Sequence, residues 1–183
     1  TGEVVSSPAM TSLAPGQQQL VRIIVMQPGI RAQEQSYRLV IDELPDATSR
    51  AANPTAVHFL LRYSIPVFIA GNQSAPVSHD ALSCEQSEIP ATLRCFNAGN
   101  RHIRLSHLEA LTADGQVVGS IKGLAGYVLP GQTALLPLKH ASRHALSTLR
   151  VYLNEDHHAS QIPLRPLASR APVLATAHAV SPD

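Results

Sequence analysis

Apolar residues in this 183-residue chain fall in short runs separated by Pro, Gly, Asn and Asp. None of the runs holds a convincing 3.6-residue period over three turns, so helices are not predicted. The runs "QLVRIIVMQ", "SYRLVIDEL", "VHFLLRYSIPVFI", "TLRCFNAG", "IRLSHLEAL", "VVGSIKGL", "TALLPLK" and "TLRVYLNE" are spaced as strands of a β-sandwich are. Asp114-Gly115 is a hairpin signal between two of them. The turn "LAPGQ" at 13–17 returns as "VLPGQ" at 128–132, an offset of 115 residues. Pro followed by Gly suits the two central positions of a type II turn, with a fixed φ and then a positive one. An apolar strand follows each copy, and a second matched strand follows later, "SYRLVIDELP" and "STLRVYLNED". Such repetition predicts an all-β chain of two tandem sandwiches. Their expected extents are 1–70 and 77–166, joined by a linker at 71–76. Residues 167–183, rich in Ala, Pro and Ser without a period, are expected to form a disordered tail.

The run at 57–69 breaks the pattern of its neighbours, because it scarcely alternates. Its aromatic and β-branched residues favour a strand, and the near-continuous apolarity predicts cover on both faces. At 13 residues it is shorter than the roughly 20 that a membrane-spanning helix needs. Pro66 lacks an N–H for a ladder, which places the strand at an edge, an end or a bulge. An edge strand with two apolar faces invites aggregation unless something covers it. Another protein can supply that cover.

Composition narrows the function. With 44% hydrophobic residues the chain can bury a core, and its formal net charge of +1 with only 15% charged residues gives no electrostatic reason for binding nucleic acid or an acidic membrane. There is no G-x-S-x-G, no P-loop and no H-E-x-x-H, so catalysis finds no support in motif. "NEDHH" at 154–158 collects metal-ligating types, but a hairpin loop is its expected home and no metal is assigned to it. In "NRHIRLSH", Arg101, Ile103 and Leu105 would share one face, with His102, Arg104 and Ser106 on a polar outer face and His107 either rejoining the apolar face or ending the strand. Cys84 and Cys95 flank a polar stretch centred between Ile89 and Pro90, so a hairpin there would set them opposite each other. A disulfide would imply an oxidising compartment, while two buried thiols would behave as small hydrophobes. Both readings stay open.

Taken together, "SSPAMTSLAPGQQQLVRI", "YRLVIDELP", "LRYSIPVFI", "NAGNRHIRLSHLEAL" and "GYVLPGQTALLPL" resemble the periplasmic chaperones of the chaperone–usher pathway. "RYSIPVF" is similar to the archaic, spore-coat-type branch. The resemblance covers residues 1 to about 165 and implies two tandem immunoglobulin-like sandwiches. It also implies that residues 1–70 supply only the later part of the first one. In that family one strand is lent to a fimbrial subunit that lacks its own last strand. The counterpart here is the run at 57–69, with Val57, Phe59, Leu61 and Tyr63 on the face expected to fill the subunit's groove. The family's carboxylate-anchoring Lys corresponds to Ser64 and its anchoring Arg has no counterpart in this sequence, so Arg62 and Arg38 are the candidates. The alternative for each is a solvated or salt-bridged edge residue. The resemblance further implies fimbrial subunits and an outer-membrane usher as partners, a periplasmic location, no cofactor and no enzymatic activity. Rival readings are an immunoglobulin-like surface binding module, a truncated chaperone remnant without function, and an esterase or metal hydrolase.

Overall fold

A computed structural model describes residues 4–26, 29–45, 59–72, 78–139 and 145–165. They form eleven strands: β1 Val4–Ser7, β2 Arg22–Val25, β3 Gln35–Asp42, β4 Arg62–Ile69, β5 Leu82–Gln86, β6 Thr92–Asn97, β7 Ile103–Leu111, β8 Val117–Val128, β9 Thr133–Pro137, β10 Thr148–Leu153 and β11 Ser160–Pro163. One short 3₁₀ turn, His79–Ala81, precedes β5. The chain is all-β, as its pattern of short apolar runs predicts. It divides into two compact units, Thr1–Val77 with Gly99–His102, and Ser78–Ala98 with Ile103–Asp183. No helix among the described residues is long and apolar enough to cross a membrane. The expected tail at 167–183 and most of the expected linker lie outside the described residues.

The second unit is built from a four-stranded sheet, β11-β10-β7-β8, and a three-stranded sheet, β5-β6-β9. Strand alternation aims Leu93, Cys95, Leu105, Leu149, Val151 and Leu153 inward, where each is completely buried. Removing so many aliphatic side chains from water is the dominant stabilising term, on the order of 1.5–3 kcal/mol for each. Cys84 and Cys95 are directly opposed in the β5–β6 ladder, with Cα atoms 4.1 Å apart, and are joined by a disulfide. The hairpin centred between Ile89 and Pro90 is therefore present. Buried Asn97 is satisfied by donating its side-chain amide to the Val128 carbonyl at 2.9 Å.

Both Pro-Gly turns adopt the expected geometry. Gly16 and Gly131 have φ of +80° and +64°, and the closing bonds Gln17 N–H to Ala14 and Gln132 N–H to Leu129 are both 3.0 Å. A side chain with a Cβ would be strained at either glycine. The hairpin at 112–116 departs from the simple two-residue form that Asp114-Gly115 suggests. Its turn closes from Gly115 N–H to the Thr112 carbonyl, and Gly115 takes the left-handed position after it. That is a longer loop, in which the glycine follows the turn.

The first unit has a different character. Its described strands form two separate two-stranded sheets, β1-β2 and β3-β4. The β3–β4 ladder is regular over eight residues, from Gln35 opposite Ile69 to Asp42 opposite Arg62. None of the unit's described apolar side chains is buried; Glu34 is its only buried described residue. The Glu34 carboxylate accepts from the His102 backbone N–H at 2.8 Å and lies 2.7 Å from His102 Nδ1, and the His102 ring stacks on Phe68 at 3.6 Å. His102 is thus pinned by a carboxylate and an aromatic ring, which corrects its expected place on a polar outer face. Periodicity alone does not reveal partners brought from residues 34 and 68.

Candidate functional site

The site is the β4 edge and the segment leading into it. Pairing with β3 uses one edge of β4, and its other edge has no strand beside it among the described residues. Regular ladder pairing ends at Arg62, and a pair of bonds extends the alignment by one residue. Glu43 N–H donates to the Leu61 carbonyl at 2.9 Å, and Leu61 N–H donates to the Glu43 carboxylate at 3.1 Å. Leu61 is thereby held in line with the strand. Phe59 and Leu60 continue beyond it. Val57 lies outside the described residues.

Period-2 alternation sorts these side chains into two rows. Leu61, Tyr63 and Ile65 share a face with Leu39 and Ile41 of β3, while Arg62 and Ser64 share the other with Arg38, Val40 and Asp42. Phe59 is 83% exposed, Leu61 54% and Tyr63 57%. Exposure extends to Leu60 and Ile65. The segment thus presents large apolar groups at successive alternate positions, along an edge that no other described strand occupies. Soluble proteins normally blunt such an edge with charge, a bulge or cover. Here Phe59, Leu60, Leu61, Tyr63 and Ile65 leave it exposed and apolar, which makes it the candidate site.

The two candidate arginines sit on the face opposite Phe59, Leu61 and Tyr63, and they are held differently. Arg62 makes a two-point ion pair across the ladder to Asp42, Nε to Oδ1 at 2.5 Å and Nη2 to Oδ2 at 2.9 Å. Hydrogen bonding to Arg62 holds the Asp42 carboxyl below its usual range, and the same bond raises the guanidinium. Arg38 donates instead to the neutral Ser64 hydroxyl at 3.0 Å. An arginine already matched by a carboxylate has little to gain from a second one, whereas Arg38 keeps its charge available for a bidentate grip. The Asp42 pairing follows from the β3–β4 register, which sets it directly opposite Arg62, and that register depends on where the two strands begin.

The fold recurs in proteins of known structure. Residues 1–73 match the PapD N-terminal domain of the pili and flagellar-assembly chaperones. No curated protein matches the chain. The YadV chaperone structure covers 88% of this chain over 79% of its own, with a TM-score of 0.65 at 15% identity. The CupB2 chaperone of Pseudomonas aeruginosa covers 89% over 75% of its own, with a TM-score of 0.58 at 20% identity. The CsuC–CsuE pre-assembly complex of archaic chaperone–usher Csu pili from Acinetobacter baumannii pairs a chaperone with a tip adhesion subunit. It covers 91% of this chain over 76% of its own, with a TM-score of 0.61 at 21% identity. These likenesses establish the fold, an immunoglobulin-like sandwich architecture. The matched stretch contains β1 to β4, and so it contains the exposed edge.

Proposed function

We propose that this protein is a periplasmic assembly chaperone that binds fimbrial subunits by adding β4 to an incomplete subunit sandwich and then yields them to an outer-membrane usher. One observation carries the proposal: exposed Phe59, Leu61 and Tyr63 alternate along a segment whose strand has a single neighbouring strand among the described residues. Strand addition draws affinity from main-chain hydrogen bonds and register from pockets that take alternate side chains. Both requirements are met by the same eight to eleven residues. The mechanism is non-enzymatic: the chaperone supplies apolar surface and backbone partners that the subunit lacks, and occupation of the groove blocks premature polymerisation.

Arg38 is the better candidate for gripping a subunit carboxylate, since Asp42 already compensates Arg62. The Cys84–Cys95 disulfide suits an oxidising compartment such as the periplasm. The resemblance of "RYSIPVF" to the archaic branch supports reading this chaperone as one of that branch.

The test is co-expression with a fimbrial subunit from the same host and capture from the periplasm. Phe59→Asp should reduce the captured subunit at least tenfold, because a carboxylate must then be buried in an apolar pocket. Ile89→Asp, at an exposed apolar position of the second unit, should leave capture unchanged. Equal capture by wild type and Phe59→Asp would favour the rival reading of a surface module that binds through its loops.

A further inference from the structure

Away from the β4 edge, the second unit carries an open cleft of about 510 Å³ between the middle of β7 and the turn that follows β10. Its volume falls within the range of small-molecule pockets, roughly 300–1,000 Å³. Three separate features converge on it. First, β7 carries a bulge against β10: between the pairs Arg150–Glu109 and Tyr152–Ser106, β10 advances two residues and β7 three. Burial switches phase there, from Ile103 and Leu105 to Leu108 and Ala110. His107 is the residue left over, and it is neither back on the apolar face nor at a strand end, the two places its sequence suggested. Bulges of this kind re-aim a side chain, and His107 is exposed in the lining of the cleft.

Second, two lining residues that are not glycine hold left-handed backbone conformations, His107 at φ 48° and Asn154 at φ 50°. Side chains with a Cβ disfavour that region, and such outliers cluster at functional sites. Third, the polar wall is fixed in the free protein. Arg104 N–H donates to Asn154 Oδ1 at 3.0 Å, its Nε and Nη2 donate to the Asn154 carbonyl, and Asn154 N–H returns a bond to the Arg104 carbonyl at 2.9 Å. A wall held this way is pre-organised and loses little freedom when a ligand arrives.

The chemistry of the lining selects a ligand class. Arg104 is engaged by Asn154 and by Glu155, whose carboxylate lies 3.2 Å from Nη2, so it offers no spare fork to an anion. No cluster of three or more metal-ligating side chains exists among the described residues. What remains is an aromatic wall, Tyr152, with the His107 ring roughly perpendicular to it at a centroid distance of 5.9 Å, flanked by Ser106, Asn154, Asp156 and His157. An apolar ring face beside groups that both donate and accept hydrogen bonds matches a ring carrying hydroxyls on its rim and C–H groups on its faces. We propose that this cleft binds a neutral saccharide, with Tyr152 as the stacking platform and His107 as a hydroxyl partner.

Saturation-transfer difference NMR on the full chain tests this, with glucose, galactose, N-acetylglucosamine and their disaccharides as probes. At least one probe should receive saturation from the protein. Tyr152→Ala and His107→Gly should each weaken that binding tenfold or more. Glycine accepts the left-handed φ of residue 107, so His107→Gly should fold at least as well as wild type, which separates loss of the ligand contact from loss of structure. Absence of saturation for every probe would overturn the proposal. So would binding that survives both substitutions, or competition by inorganic phosphate or zinc at the same residues. Because the Phe59 edge is untouched, subunit capture should be unaffected by either variant, and the two functional readings stand or fall separately.

Discussion

The hairpins β3–β4 and β10–β11 follow matching turns in the two units, yet they meet different fates. Strand β10 is flanked on both sides, by β7 and by β11, and its inward residues Leu149, Val151 and Leu153 are completely buried. Strand β3 has β4 as its only neighbour among the described residues, and the pair buries no apolar side chain. Sequence composition does not explain this, since "YRLVID" and "LRVYL" are alike in apolar content. What differs is the supply of neighbours. In the proposed function, the hydrophobic effect that consolidates the second unit becomes, in the first, a driving force for association.

Core truncations give the largest test of that contrast. Leu105→Ala in the completely buried core of the second unit should cost roughly 3–5 kcal/mol, from lost transfer energy and the cavity left behind. Ile65→Ala in the first unit removes a side chain that is 43% exposed. Its cost in the free protein should stay below about 1 kcal/mol, the scale of a cross-strand pair. Urea denaturation of both variants measures the difference. Comparable losses would mean that the first unit holds a core of its own and that β4 is an ordinary strand.

Next in size is the disulfide. It closes a loop with a sequence separation of 11, and both cysteines are buried, Cys84 at 1% and Cys95 at 0% exposure. Cys84→Ala with Cys95→Ala should lower stability by roughly 2–3 kcal/mol in the loop-entropy picture. The loss should appear in the unfolding of the second unit, while capture of a subunit by the β4 edge should persist at temperatures where the second unit remains folded. If the double variant instead loses capture while remaining folded, the two units are not as separable as their cores suggest.

Much of this contrast was legible in the residues. The eight apolar runs fall on strands, both Pro-Gly turns carry a positive φ, and the facing cysteines follow from the midpoint of their hairpin. Short strands were harder to see. β1, β5 and β11 hold four or five residues each, too few for alternation to register, and their pairing is decided by distant partners. The His107 bulge has a signal in hindsight: "IRLSHLEAL" changes apolar phase midway, which only an extra residue can reconcile with one buried face. Side-chain pairings such as Arg62 with Asp42 and Glu34 with His102 were out of reach, because each depends on register or on chain segments brought together by the fold.

The smallest effect concerns the Arg62–Asp42 pair, which ties the β3–β4 ladder at its connected end, beside Leu61. Arg62 keeps the Asp42 carboxyl below its ordinary value of about 3.9. A lowered folded-state pKa means that the ionised form favours the folded hairpin, so the contribution is fully present above the ordinary value. It disappears as the pH falls through the lower, folded value. Between neutrality and about pH 5 hydrogen exchange at Glu43 N–H, bonded to the Leu61 carbonyl at 2.9 Å, should therefore follow only the intrinsic chemistry. Below that, protection should weaken, and Asp42→Asn should show the weakened protection at every pH. Salt should mimic part of the effect, since both partners face water. In the second unit, Arg94–Glu85 and Arg150–Glu109 span ladders backed by a buried core. Charge removal there should leave exchange at the adjacent amides nearly unchanged. Equal sensitivity of the two units would show that cross-strand ion pairs, and not buried neighbours, set the order of the hairpins.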